Sequence, residues 1–182
     1  MSVIKNLSIA LVALTLSAVV SAQGKVAVVD FQAALLETDV AQQRLLALEA
    51  ESDYQATLAQ AEQLVADIRS LQEEGQANAV AWSQEQLAAQ QALIQNKNVD
   101  LQAANTKLRD AQNRVLQGIF AELQPRGMAA LNEIINSEGI GLLLDKGAMI
   151  PTGRQQARPV VLHVDTSFDL TPRLTERLNQ EG

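Results

Sequence analysis

The apolar residues of this sequence form two patterns, short continuous runs near both ends and long stretches of helical spacing between them. The segment Lys25–Val29 (KVAVV) is rich in Val and predicts a buried strand. Asp30 follows it and can cap a short helix over residues 31–36. Residues 140–145 (IGLLLD) and 160–164 (VVLHV) predict two further strands, and residues 148–150 predict a short third one.

The segment from residue 40 to residue 74 contains neither Gly nor Pro and consists mostly of helix formers. Thr38 and Asp39 can cap its start, and a helix of this length spans roughly 50 Å at about 1.5 Å per residue. Apolar residues recur at spacings of four and three, at Tyr54, Leu58, Ala61, Val65 and Ile68. The pattern predicts one continuous helix with a coiled-coil seam.

A second long helix is predicted over residues 79–123, after a hairpin tip at residues 73–78. Gly75 can end the first helix and Asn78 can cap the second. The second helix carries an apolar residue at every seventh position: Val80, Leu87, Ile94, Leu101, Leu108 and Val115. The companion seam positions are polar or small: Ser83, Gln90, Lys97, Ala104, Ala111 and Gly118. We therefore expect a thin antiparallel two-helix arm without a deep core.

The remaining segments predict a small base for this arm. Pro125 and Gly127 are expected to kink or break the second helix, and a further helix is expected over residues 128–136. Residues 151–159 predict a loop, and Thr171 with Pro172 predicts the start of a terminal helix over residues 173–178. The expected fold is α+β and mostly helical. Residues 23–39 and 124–182 form a β body with strands from both chain ends, and residues 40–123 form the coiled-coil arm.

The first 22 residues resemble a signal peptide. Lys5 precedes an apolar segment at residues 7–20, which is short for a membrane span, and small residues precede Gln23, where cleavage is expected. The alternative is an uncleaved N-terminal anchor. The chain has no Cys, which excludes disulfides and lipid attachment through an N-terminal Cys. The mature protein is expected to be soluble and exported.

Charge and residue content argue against several classes of function. The formal net charge is −7, so nucleic acid and anionic lipid are disfavoured as partners. His163 is the single His, and within an apolar run it suits packing better than proton transfer. The acidic residues show no metal-ligand spacing, and the glycines at 139 and 141 do not form a nucleotide loop. We expect no catalysis, no cofactor and no bound metal.

Three segments carry a resemblance to a known family: K-V-A-V-V-D at residues 25–30, I-G-L-L-L-D at residues 140–145, and D-L-T-P-R-L from Asp169. With the hairpin between them, the chain resembles the Skp/OmpH family of periplasmic chaperones. The resemblance implies a homotrimer shaped like a jellyfish, with a central β body. Its three arms would enclose a cavity that holds unfolded outer-membrane proteins without ATP.

Two features depart from the family pattern. The best-known members have basic arms, which are linked to acidic clients and lipopolysaccharide. Residues 40–117 here contain six basic and ten acidic residues, so a lipopolysaccharide or membrane contact does not carry over directly. The loop at residues 151–159 is longer than usual in the family and carries Arg154 and Arg158.

A holdase binds many sequences weakly, through small apolar and amide side chains rather than directional pockets. The candidates for client contact are Leu46, Leu64, Leu71, Trp82, Ala88, Leu93 and Leu116. Each of them could instead pack within the arm, and Trp82 could touch client or membrane or pack across the tip. The candidates for the trimer body are Val26, Val28, Ile140, Leu142, Leu144, Val161 and Val164. The rival function is a periplasmic coiled-coil spacer or adaptor with one fixed partner.

Overall fold

The computed structural model describes residues 24–151, 153 and 157–180, and the predicted signal peptide lies outside these residues. Its strands are β1 (Lys25–Val29), β2 (Ile140–Asp145), β3 (Met149–Pro151) and β4 (Ala157–Pro159). Its helices are α1 (Phe31–Leu36), α2 (Asp39–Ala50), α3 (Ser52–Asn78), α4 (Gln84–Glu138) and α5 (Thr171–Gln180), with a 3₁₀ turn at Thr166–Phe168. The predicted fold class, mostly helical with short strands from both ends, is confirmed.

The chain separates into two compact units. We call the described residues of 24–38 and 124–180 the body, and residues 39–123 the arm. Helix α4 contributes its first part to the arm and its last part to the body.

The body joins two strands that are far apart in sequence. Strands β1 and β2 run parallel, with Val26 opposite Leu142 and Val28 opposite Leu144. Parallel pairing requires a long crossover between the strands, and here the crossover contains the whole arm. The strands approach closely at Gly24, where an added Cβ would lie 2.5 Å from the Gly141 Cα.

Asp30 links the first helix to the last. Its carboxylate accepts a hydrogen bond from the Ala33 N–H (2.9 Å), so it caps α1 as predicted. Its own N–H donates to the Thr171 hydroxyl oxygen (2.8 Å), and Leu35 and Leu174 are fully buried nearby in the body. The ends of the body are therefore joined by polar contacts as well as by apolar packing.

The terminal helix begins at Thr171, as predicted, although Thr171 is its first residue and not the residue that caps it. Thr171 is already part of α5, and its N–H donates to the Asp169 carboxylate at 2.9 Å. Asp169 lies just before the helix and therefore satisfies one of the free N–H groups of the first turn. The Thr171 side chain is thereby available to accept the hydrogen bond from Asp30.

The predicted helix break at Pro125 was wrong, because α4 runs through Pro125. The separate helix predicted for residues 128–136 is the last part of α4. A proline inside a helix removes one hydrogen bond and crowds the preceding turn. Two residues later, Gly127 packs closely on α1, since an added Cβ there would lie 2.7 Å from the Leu35 side chain and 3.0 Å from that of Phe31. The helix ends at Glu138 and is followed by Gly139, whose φ of +67° favours Gly.

The strand predicted at residues 160–164 does not form. Strand β4 lies just before it and pairs antiparallel with β3, so part of the predicted loop at 151–159 belongs to a hairpin. Leu162 is 85% exposed. An apolar run adopts a strand only when a neighbouring strand pairs with it, and beside β1 that position is taken by residues 169–170. The Leu170 N–H donates to the Val28 carbonyl there (2.8 Å).

None of the helices in the described ranges is long and apolar enough to cross a membrane.

Replacing Thr171 by Val tests the link between the ends of the body. The substitution keeps the shape but removes the acceptor of the part-buried Asp30 N–H. We expect a loss of about 1–3 kcal/mol in the free energy of unfolding, measured by urea titration at fixed protein concentration. The control is Thr166→Val, an exposed threonine of the same unit. An equal loss in both variants would contradict this role.

Candidate functional site

The two sides of the arm are antiparallel. Residues later in α2 and α3 contact residues that are earlier in α4. The polar contacts that show this are Arg44 with Glu122, Tyr54 with Gln112 (2.8 Å), Asp67 with Lys97 (2.6 Å) and the Leu71 carbonyl with Gln90 (2.6 Å). They are spread along the arm and fix one register between the helices.

The continuous helix predicted over residues 40–74 is interrupted at Glu51. This residue has an extended backbone (φ −64°, ψ 130°) between α2 and α3. The Gln55 side chain donates to the Glu49 carbonyl at 2.6 Å and satisfies one acceptor beside the break. Ser52 and Asp53 follow Glu51, and both residue types favour helix starts over helix interiors. Their occurrence together was the sequence signal for this break.

The tip of the arm lies later in the sequence than predicted. Helix α3 continues through Gly75 to Asn78, and residues 79–83 form the turn. The Gln86 N–H donates to the Ser83 hydroxyl (3.2 Å), and the Ser83 N–H donates to the Gln86 side-chain oxygen (2.9 Å). This is a capping box, so Ser83 rather than Asn78 starts the second helix.

Gly75 brings the two helices together instead of ending the first one. An added Cβ at Gly75 would lie 2.6 Å from the Gln90 side-chain oxygen. Gln90 is only 8% exposed, and its amide nitrogen donates to the Leu71 carbonyl. A larger residue at position 75 would push this amide out of the contact.

The arm buries small and amide residues together with larger apolar ones, the latter at Leu48, Leu64, Ile68, Ile119 and Leu123. Gln90 and Ala104 are buried, whereas the apolar heptad positions of α4 are only half-buried: Leu87, Ile94, Leu101, Leu108 and Val115. On α3 the buried residues are Ala61, Leu64 and Ile68, whereas Val65 is 53% exposed, so its predicted seam position was wrong. An apolar stripe therefore borders the helix contact and remains partly open.

The candidate client-contact residues differ in exposure. Leu46 (62%), Leu93 (52%) and Ala88 are exposed. Leu71, Trp82 and Leu116 are half-buried, and Leu64 is buried in the seam, which leaves little of its side chain for a partner. Sequence reasoning missed three exposed apolar residues of the arm: Val65, Val80 and Val99. The heptad pattern assigned Val65 and Val80 to the seam, and no periodic signal distinguishes Val99.

The candidate body residues include an open apolar patch. Val26 and Leu142 are opposite each other in the sheet and are 46% and 51% exposed. Val28 is buried. The remaining four are half-buried: Ile140, Leu144, Val161 and Val164. Of these seven residues, the structure brings together those of β1 and β2.

The part of the chain that the structure describes contains no group of three or more His, Cys, Asp or Glu residues able to hold a metal ion. His163 is exposed instead of packed in a strand. The features of the arm are surface apolar residues and helix contacts rather than convergent reactive groups.

Comparison with known families gives one match over nearly all of the described chain. The family model described as outer membrane protein (OmpH-like) matches residues 25–178. The chain belongs to the OmpH-like family. None of the curated proteins compared matches it in sequence.

One solved structure similar to this OmpH-like chain is that of a candidate outer membrane chaperone (OmpH-like) from Caulobacter crescentus CB15. The identity is 14% and the TM-score is 0.48, over 88% of this chain and 87% of that one.

Asp67 and Lys97 form the polar contact nearest the middle of the OmpH-like arm. Side-chain hydrogen bonds from Lys97 and Gln63 hold the pKa of Asp67 below its usual value of 3.8. A carboxyl whose pKa is lowered by folding stabilises the folded state above its unfolded pKa. That stabilisation is lost as the pH falls through the folded pKa.

Replacing Asp67 by Asn should therefore destabilise the protein at neutral pH and have less effect in acid. We expect the difference in unfolding free energy between the wild type and Asp67→Asn to be constant at neutral pH. It should shrink as the pH falls below about 4, in urea titrations followed by circular dichroism. Glu62→Gln is the control, on an exposed residue of the same helix. A difference that persists unchanged in strong acid would contradict the assignment.

Proposed function

We propose that this OmpH-like protein is an ATP-independent holdase chaperone of the periplasm that binds unfolded outer-membrane proteins between the arms of a homotrimer. The observation that carries the proposal is the exposed apolar surface of the arm, which includes Leu46, Leu93 and Val99. The predicted signal peptide supports export, and family membership supports a role with outer-membrane proteins. The acidic arm provides no support for a lipopolysaccharide site.

The chemistry of the arm suits weak binding of many sequences. Apolar contacts are non-directional and yield roughly 25 cal/mol per Å² of buried apolar surface. Leu46, Leu93 and Val99 are each more than half exposed and can contribute without any change in the helix pairing. Many such contacts acting together hold a flexible chain more strongly than any single contact does.

The polar contacts of the arm support this reading. Asp67 with Lys97, and Gln90 with the Leu71 carbonyl, hold the helices together alongside the buried Leu64 and Ile68. A rigid spacer would be expected to bury apolar residues at both seam positions along its length. Here that stabilisation is reduced, and apolar surface remains available.

The open patch on the body supports self-association. Val26 and Leu142 form exposed apolar surface on the two-stranded sheet, where a soluble monomer would be expected to carry polar residues. Strands contributed by other subunits would cover this surface. The trimer is thus proposed from the family pattern together with the exposure of these two residues.

The holdase function is tested by light scattering after a urea-denatured outer-membrane β-barrel protein is diluted into the mature protein without nucleotide. We expect suppression near one trimer per client. The double variant Leu93→Gln and Val99→Gln should suppress less, because two lost contacts of about 1 kcal/mol each weaken binding by roughly 10- to 30-fold. Circular dichroism should show unchanged helix content, because both residues are exposed.

Leu162→Gln is the matched control, since it removes an exposed apolar side chain from the body. Absence of suppression by folded, oligomeric wild-type protein would contradict the holdase function and favour the spacer or adaptor with one fixed partner. Equal suppression by the double variant and the wild type would contradict the assignment of Leu93 and Val99.

The association surface is tested by Leu142→Gln. We expect the variant to shift from trimer toward monomer in sedimentation velocity, with an association constant lower by about tenfold or more, because each subunit would lose most of one buried Leu side chain. Leu162→Gln again serves as control and should remain trimeric. A trimer of unchanged stability in Leu142→Gln would place the interface elsewhere on the chain.

A further inference from the structure

A groove of about 290 Å³ lies at the tip of the arm, between the end of α3 and the start of α4. It is lined mainly by Leu71, Glu74, Trp82, Gln86, Gln90 and Leu93. All of these residues belong to the arm, so the groove is complete within one unit.

The walls of the groove are held in place by contacts already described. Gln86 is engaged in the capping box and Gln90 in its hydrogen bond to the Leu71 carbonyl. The backbone N–H of Trp82 donates to the Asn78 carbonyl at 3.0 Å. This hydrogen bond anchors the turn that carries the indole ring. The groove therefore presents a half-buried aromatic ring and two leucines on a fixed backbone.

The charge of the tip is of one sign. Between Ser70 and Asn96 there is no Lys or Arg, and there are three Glu residues. Glu73 is paired with Arg69 (2.9 Å). Within the described part of the chain, the Glu74 carboxylate makes no hydrogen bond or ion pair, and Glu74 lines the groove together with Trp82.

We propose that this groove binds polypeptide segments in which an Arg or Lys is flanked by apolar residues. The aliphatic stem of the cation would lie along Leu71 and Leu93. Its charged end would lie between the Trp82 ring face and the Glu74 carboxylate, where a cation–π contact and an ion pair act together. Such a partner is opposite in charge to the one that a basic arm would select.

The inference goes beyond the holdase proposal, because a single arm tip and a short segment are enough for binding. The two ideas can also fail separately, since aggregation suppression and short-peptide binding are independent measurements. A membrane surface would be a different occupant of the same apolar ring. It is the less favoured one, because the three glutamates between Ser70 and Asn96 give the tip an excess of negative charge, which repels anionic headgroups.

Binding is measured by fluorescence anisotropy of labelled Gly/Ser-rich peptides titrated with the mature full-length protein. One peptide carries a Leu-Arg-Leu segment, a second carries Leu-Glu-Leu and a third carries Gly-Arg-Gly. We expect the first to bind most tightly, with an affinity that falls as the salt concentration rises. Equal binding of the Arg and Glu peptides would overturn the proposal.

Glu74→Gln should weaken binding of the Leu-Arg-Leu peptide by about threefold, the effect of losing one exposed ion pair. Glu85→Gln makes the same change in net charge, but Glu85 does not line the groove. The Glu85→Gln variant should therefore bind the Leu-Arg-Leu peptide with the affinity of the wild type. Trp82→Leu keeps an apolar side chain and should weaken binding by about threefold to fivefold through the lost cation–π contact. Equal effects of Glu74→Gln and Glu85→Gln would show attraction by net charge alone and overturn the site.

Trp82 also provides a direct readout, because it is the only Trp in the chain. Its emission should shift on addition of the Leu-Arg-Leu peptide and remain unchanged with vesicles of zwitterionic or anionic phospholipid. A shift with vesicles but not with the peptide would overturn the proposal and identify the tip as a membrane contact.

Discussion

The close approach of α3 and α4 at Gly75, Gln90 and Ala104 is the constraint on which the properties of the arm depend. Gly75 makes room for Gln90, and Ala104 is buried together with Leu64 and Ile68 of α3. The larger apolar side chains of the α4 heptad are only half-buried at this contact. They border it instead, and the polar pairs along the arm maintain the register that apolar packing would otherwise define. The exposed apolar surface proposed to bind clients is thus a direct consequence of how the helices pair.

The body is organised by the opposite requirement, which is to bring distant segments together. Strands β1 and β2 pair in parallel although the whole arm separates them in sequence. The Asp30 N–H donates a hydrogen bond to the hydroxyl of Thr171. The cost of closing so long a loop grows only slowly with its length, so a few buried residues and short polar contacts can sustain the body. The acidic tip belongs to the other unit.

Much of this fold was predictable from periodicity and local capping signals. The KVAVV and IGLLLD runs form paired strands, and Asp30 caps α1. The apolar repeat with a period of seven residues predicted the two-helix arm. The errors arose where several local signals competed. Gly75 suggested a helix end, but the Ser83–Gln86 capping box defined the second helix, and Pro125 suggested a break at a point where α4 continues. Residues 160–164 had strand composition, and their failure to pair depends on tertiary structure that no local pattern encodes. The candidate site was predictable as a region only, because the exposure of Val65 and Val99 depends on which face of each helix meets the other.

The central claim is that the partly open apolar surface of the arm binds unfolded outer-membrane proteins. The most direct test is photocrosslinking from a photoreactive amino acid placed at Val99, with the same group placed at Leu162 of the body for comparison. We expect crosslinks from Val99 to an unfolded β-barrel protein, none to the same barrel once folded, and few from Leu162. Efficient crosslinks from Leu162 with none from Val99 would contradict client binding by the arm, because clients would then be held by the body.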